Sequence, residues 1–169
     1  MGVEIYYRLT GTGWAECTLH VDGAHVTVTA SYLSDALDDL ASAIAAALRG
    51  HPHSTARFDE EPGEYRWVFE PLPGGKVRIR ILEFPELWGD RPDEEGKQIF
   101  KAECRLRTLA GAMVSALQRL EEKYGVAGYR EKWVEHDFPM GRLIELQELL
   151  DKPAGNGDGE MKTIRKESF

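Results

Sequence analysis

The chain has 169 residues, a formal charge of −8 and two cysteines. That length can bury one core without disulfides or metal, and the charge has the wrong sign for a general phosphate-neutralising nucleic-acid binder. No run approaches the roughly 18 to 20 apolar residues of a membrane helix, and the first residues lack a basic region followed by an apolar stretch, so neither a membrane span nor a secretion signal is expected.

The first strand expected is Val3 to Leu9, ended by Thr10-Gly11-Thr12-Gly13. Asp22-Gly23 is a strong two-residue turn signal and sets the register of the hairpin that follows. Val21 meets Ala24, Leu19 meets Val26, Cys17 meets Val28 and Ala15 meets Ala30 on a core face. On the other face His20 meets His25, Thr18 meets Thr27 and Glu16 meets Thr29. Leu33, Leu37, Leu40, Ala41, Ile44, Ala47 and Leu48 recur at helical spacing, with Ser34 available as N-cap, acids near the positive end of the dipole, and Gly50 as the stop.

A strand near Ser54 to Asp59 leads through Pro62-Gly63 into two alternating runs, Tyr65/Trp67/Phe69 and Val77/Ile79/Ile81. Both runs keep one face only if the Pro73-Gly74-Gly75 loop has an odd number of residues, pairing Phe69 with Ile79 and Glu70 with Arg78. A short strand near Gln98 to Cys104 precedes a long helix with the stripe Leu106, Leu109, Ala110, Met113, Leu117, Leu120 and Tyr124, closed by Gly125. Tyr124 to Phe138 reads as a helix end and bridging turn before a last helix that starts near Pro139. Strand runs followed by helices give an α+β fold: an antiparallel sheet of six to seven strands, in the order β-β-β-α-β-β-β-α-α, with helices on one face. Residues 1–152 read as one domain and 153–169, rich in Gly, Asp, Lys and Glu, as a flexible tail.

No G-x-S-x-G, H-E-x-x-H, G-x-x-x-x-G-K-[ST] or C-x-x-C pattern occurs, so no catalytic residue and no cofactor is expected. Cys17 and Cys104 fall on apolar faces, where free thiols behave as small hydrophobes, which points to a reducing, cytoplasmic setting. The near-absence of asparagine beside abundant Ala, Gly, Arg and Asp is the bias of a GC-rich bacterial genome. His20, His25 and Glu16 share a face, but two cross-strand imidazoles do not close a metal site. His136-Asp137, just before Pro139, reads as part of the approach to the last helix.

Charge is distributed unevenly. Arg57, Arg66, Lys76, Arg78 and Arg80 alternate onto the outer face of the later strands, a possible anion surface whose competing explanation is cross-strand ion pairing. Asp59, Glu60, Glu61 and Glu64 form one acidic cluster with no base, and Glu83, Glu86, Asp90, Asp93, Glu94 and Glu95 a second opposed only by Arg91. Acids in this number steer a basic protein into contact, and Trp88 between them is the expected anchor. The reading is a non-enzymatic domain that binds a basic protein, of the immunity or chaperone type. The alternatives are a small enzyme or binder of an anionic ligand or metal, and a homodimer formed through a strand edge or the last helix.

Overall fold

The structure is a computed structural model that describes residues 2–86, 90–134 and 136–153. Seven strands and three helices follow one another as β1 (Val3–Gly11), β2 (Trp14–Val21), β3 (Ala24–Ser31), α1 (Ala36–Leu48), β4 (Ser54–Asp59), β5 (Glu64–Leu72), β6 (Lys76–Phe84), β7 (Lys97–Arg105), α2 (Leu106–Trp133) and α3 (Met140–Asp151). The strands form two antiparallel sheets, β1-β2-β3 and β4-β5-β6-β7. The fold is α+β, as expected, with hydrogen bonding divided between the two sheets. The expected tail lies, from residue 154 onwards, outside the described residues.

Local chemistry sets the registers. Every pair expected of the Asp22-Gly23 hairpin is present, from Val21 with Ala24 to Ala15 with Ala30. In the second hairpin Leu72 meets Lys76 across Pro73-Gly74-Gly75, so Phe69 pairs with Ile79 and Glu70 with Arg78. Gly74 and Gly75 both have positive φ, 83° and 77°, which an L side chain rarely adopts.

Helix α1 ends where expected. Gly50 (φ 94°) donates to the Ala47 carbonyl and His51 to the Ala46 carbonyl, which closes the last turn. Its start differs from the expectation: the Ser34 hydroxyl accepts the Asp59 N–H at 3.0 Å, and Asp35 stands at the cap position without a capping hydrogen bond. The competing demand comes from β4, an edge strand whose free N–H groups need acceptors. Ser54 Oγ, donating to the Ala43 carbonyl at 2.8 Å, fastens the same edge to α1.

Helix α2 breaks at Gly125 (φ 71°, ψ 168°), as its sequence position suggested. The chain then resumes helix to Trp133, whereas the sequence reading took Tyr124 to Phe138 as a helix end and a bridging turn before the last helix. The resumed turns bury Tyr129 and Trp133 completely, and burial of two such large rings outweighs weak local helix propensity. One continuous core runs across both sheets and all three helices, including Leu19, Ile44, Phe58, Trp67, Met113, Tyr129, Trp133 and Leu146. Among the described residues, no helix is long and apolar enough to cross a membrane.

Candidate functional site

Strand alternation places Arg57, Arg66, Arg78 and Arg80 on the outer face of the second sheet, and neighbouring acids reach them there. Arg57 Nε lies 2.8 Å from Asp59 and Arg66 Nη1 2.8 Å from Asp93. Arg66 is also 3.4 Å from Glu64, Arg80 is 3.6 Å from Glu70 and Arg78 is 3.4 Å from Glu103. Only Lys76 has no acidic partner among the described residues. The four arginines therefore form an ion-paired lattice in place of an open cationic face. The first acidic cluster changes as well: Asp59 and Glu64 are buried and paired with Arg57 and Arg66, so the cluster does have bases. Burial raises the Glu64 carboxyl above its usual range, while Arg66 and Arg57 pull it back down.

A small second apolar cluster, Val68, Leu82 and Phe84, lies on this same outer face, where alternation had suggested water. Gly96 closes over it: a Cβ there would stand 2.6 Å from the Phe84 ring and 2.9 Å from Leu82. Arg66 pins this segment to the sheet. Its guanidinium stacks 4.2 Å above the Phe84 ring and donates to the Arg91 carbonyl and to Asp93 Oδ1, each at 2.8 Å. Asp93 is further held by His53 Nε2 at 3.0 Å. Burial acts to raise the Asp93 carboxyl, but the Arg66 and His53 contacts prevail and hold it below the usual range.

Once these acids are paired, Glu61, Glu83, Glu86, Asp90, Glu94 and Glu95 remain exposed, with Glu60 half-buried. The fold gathers them at one end of the second sheet. The β4–β5 turn abuts the end of β6, where a Cβ on Gly63 would stand 2.5 Å from the Phe84 carbonyl oxygen. Glu60 is raised by burial and by the nearby Glu83 charge, and its carboxylate accepts from Thr29 across the junction of the sheets. Arg91 ties Glu86 at 3.3 Å to Glu95 at 3.8 Å. Two acidic stretches that are separate in sequence thus make one rim around a pinned loop. Trp88, expected as the anchor of this surface, lies outside the described residues.

The His20 and His25 rings stack at 5.4 Å, but Glu16 is engaged with Arg8 at 2.6 Å. Among the described residues no group of three His, Cys, Asp or Glu side chains is placed to hold a metal ion.

Sequence reasoning missed a second feature, an open cleft of about 740 Å³ between the start of α1 and the α2–α3 connection. Asp35 and Asp38 come from one wall, and His136, Asp137, Phe138, Arg142 and Glu145 from the other. His136 Nε2 lies 3.2 Å from the Tyr32 carbonyl oxygen and Nδ1 3.7 Å from Asp35, so the imidazole joins the two walls. No local motif could mark this pairing, because the partners are 104 residues apart in the chain.

No family model and no curated protein matches the chain. Among solved structures it is similar to one chain of a CdiA-CT/CdiI toxin and immunity complex from Enterobacter cloacae, at 12% sequence identity and a TM-score of 0.48 over 69% of this chain and 99% of that one. A likeness of that degree carries no argument about the role of this chain.

Proposed function

We propose that this chain is a non-enzymatic protein-binding domain that captures a basic protein in the bacterial cytoplasm, in the manner of a toxin-neutralising immunity protein or a secretion chaperone. The observation that supports it is the exposed rim of Glu60, Glu61, Glu83, Glu86, Asp90, Glu94 and Glu95 around a loop held against the sheet by Arg66. Like charges held together in advance raise the encounter rate with a cationic partner, and a pinned loop loses less freedom on binding than a mobile one. Trp88, between Glu86 and Asp90 in sequence, is the apolar anchor in this reading. The ion-paired arginines offer little free charge to an anionic substrate, which disfavours that alternative.

The test is capture of a basic protein from the host at low salt, followed by native mass spectrometry. Trp88→Ala and the double reversal Glu94→Lys/Glu95→Lys are each expected to abolish capture and to leave the melting temperature nearly unchanged, since the described side-chain ion pairs of Glu94 and Glu95 are limited to the exposed Arg91 pair. Normal capture by both variants would show that the loop is not the interface.

A further inference from the structure

Strands β1, β3, β4 and β7 lie at the margins of the two sheets, and the first three are each held by another element. Arg119 of α2 donates to the Ile5 carbonyl of β1 at 2.6 Å. Strand β3 reaches β4 through Ser31, whose hydroxyl donates to the Asp59 carbonyl at 3.0 Å, and β4 is held by Ser34 and by the Ala43 carbonyl of α1. Strand β7 pairs with β6 alone, and Glu103 with Arg78 of β6. Among the described residues no hydrogen bond or ion pair from any further element reaches it.

The ladder fixes which backbone groups of β7 face outward. The Leu106 N–H donates to the Gly75 carbonyl at 2.9 Å, in step with the register that pairs Lys76 with Arg105 and Val77 with Cys104. Bonded and non-bonded pairs alternate along an antiparallel ladder. Cys104 and Ala102 therefore turn their N–H and C=O groups to β6, and Arg105, Glu103 and Lys101 turn theirs away. Those three residues are exposed, while Phe100, Ala102 and Cys104 are half-buried over the core. The register shifts between Ile81 and Leu82, whose partners are Phe100 and Gln98, so Ile99 is bulged and the regular free edge runs over 100–105. An open row of backbone groups of this kind is a template for another strand.

We infer that β7 pairs antiparallel with β7 of a second copy of this chain, about a two-fold axis at Ala102, and so joins two four-stranded sheets edge to edge. The charge pattern selects this register. Centred on Ala102, Lys101 stands opposite Glu103 of the second copy and Glu103 opposite its Lys101, on the outer face. Over the core Ala102 meets Ala102, and Phe100 meets Cys104. The outward backbone groups of Lys101 fall on those of Glu103 in the same register, so main chain and side chains agree. With the centre moved one residue, Glu103 opposes Glu103 or Lys101 opposes Lys101, and like charges directly opposite are destabilising. Moved two residues, the pairing takes in the bulge at Ile99 or carries Lys101 past the strand end to Arg107 of α2. The edge is thus complementary to itself, as a two-fold interface requires. The strands run in opposite directions, so the two acidic rims, each beside Glu83 and Lys97 at the far end of β7, stay apart and open.

Sedimentation velocity of the full chain, over a concentration series up to the millimolar range, is expected to show a monomer–dimer equilibrium. Amide exchange followed by NMR is expected to slow at Lys101 and Glu103 as the dimer forms, with Ala102 and Cys104, already bonded to β6, little changed. Lys101→Glu and Glu103→Lys each set like charges opposite one another and are expected to weaken the dimer at least about tenfold. Mixed in equal amounts, the two variants are expected to restore it, because every opposed pair is again of unlike charge. That recovery separates a lost interface from a lost fold. A monomer throughout, a dimer that neither substitution weakens, or a dimer whose Lys101 and Glu103 amides exchange as freely as in the monomer would overturn the inference. Slowing of those amides only on capture of a basic protein would overturn it as well, and would give the edge to a strand of that protein. The inference is independent of the acidic-rim reading, since Trp88→Ala and Glu94→Lys/Glu95→Lys are expected to leave the dimer intact.

Discussion

Arg66→Ala removes the side chain that makes the shortest contacts between the 90–96 segment and the sheet. The guanidinium is 15% exposed and makes two hydrogen bonds of 2.8 Å, to the Arg91 carbonyl and Asp93, besides stacking on Phe84 and neutralising the buried Glu64. Hydrogen bonds involving a charged group contribute about 1.5–3 kcal/mol each and are not additive, and the ring contact adds about 0.5–2 kcal/mol. Asp93 keeps His53 at 3.0 Å and Arg80 at 4.0 Å, which softens the loss. The expected destabilisation is about 3 kcal/mol, or roughly 6–12 °C in melting temperature for a chain of this size. Urea unfolding at neutral pH measures it, and limited proteolysis within 85–96 should accelerate in parallel. Arg66→Lys, which keeps the charge without the planar fork, is expected to recover only part of the stability. A loss below about 1 kcal/mol with unchanged proteolysis would refute the account of Arg66 as the loop's anchor, because a released guanidinium contact of this kind has no cheaper outcome.

Asp39, against the N–H of Arg57, is pushed up to about 6 by burial, with the Asp35 and Asp38 charges adding to the rise. A carboxyl raised in the folded state binds its proton more tightly there than in the unfolded chain, so it favours the fold below the unfolded value near 3.8 and loses that contribution as pH rises through about 6. Asp39→Asn should therefore match the parent at pH 4 and melt higher above pH 7; a variant that melts lower at pH 8 would reverse the assignment. Gly125→Ala places a side chain at φ 71°, ψ 168°, and should cost about 1–3 kcal/mol by urea unfolding; no measurable loss would mean that the break tolerates another conformation. Cys17 is raised strongly by burial and Cys104 to about 11, also chiefly by burial. Neither thiol should react with a disulfide reagent at pH 8 until the chain unfolds, and fast native labelling of Cys17 would contradict its place in the core.

The registers were legible in the sequence because they depend on neighbours. A two-residue turn at Asp22-Gly23 and an odd loop at Pro73-Gly74-Gly75 each leave one pairing that keeps the apolar side chains on a single face. The helix breaks at Gly50 and Gly125 were legible for the same local reason, the need for positive φ. What lay outside local reach was the partner of each charged or capping group. Ser34 has the right residue type for an N-cap, but the Asp59 N–H of an edge strand claims its hydroxyl. The arginines and the acids read as two opposed surfaces, yet Arg66 meets Asp93 across 27 residues of chain and the two largely cancel. Tyr129 and Trp133 have little local periodicity to mark them, and only the packing of α2 against the rest of the core buries them. The cleft at Asp35 is the extreme case, since one wall comes from residues 35–38 and the other from 136–145. Alternation and turn chemistry act over a few residues and can be read along a line. Burial, ion pairing and the cleft beside α1 depend on which segments the completed fold sets side by side, and only the tertiary structure decides that.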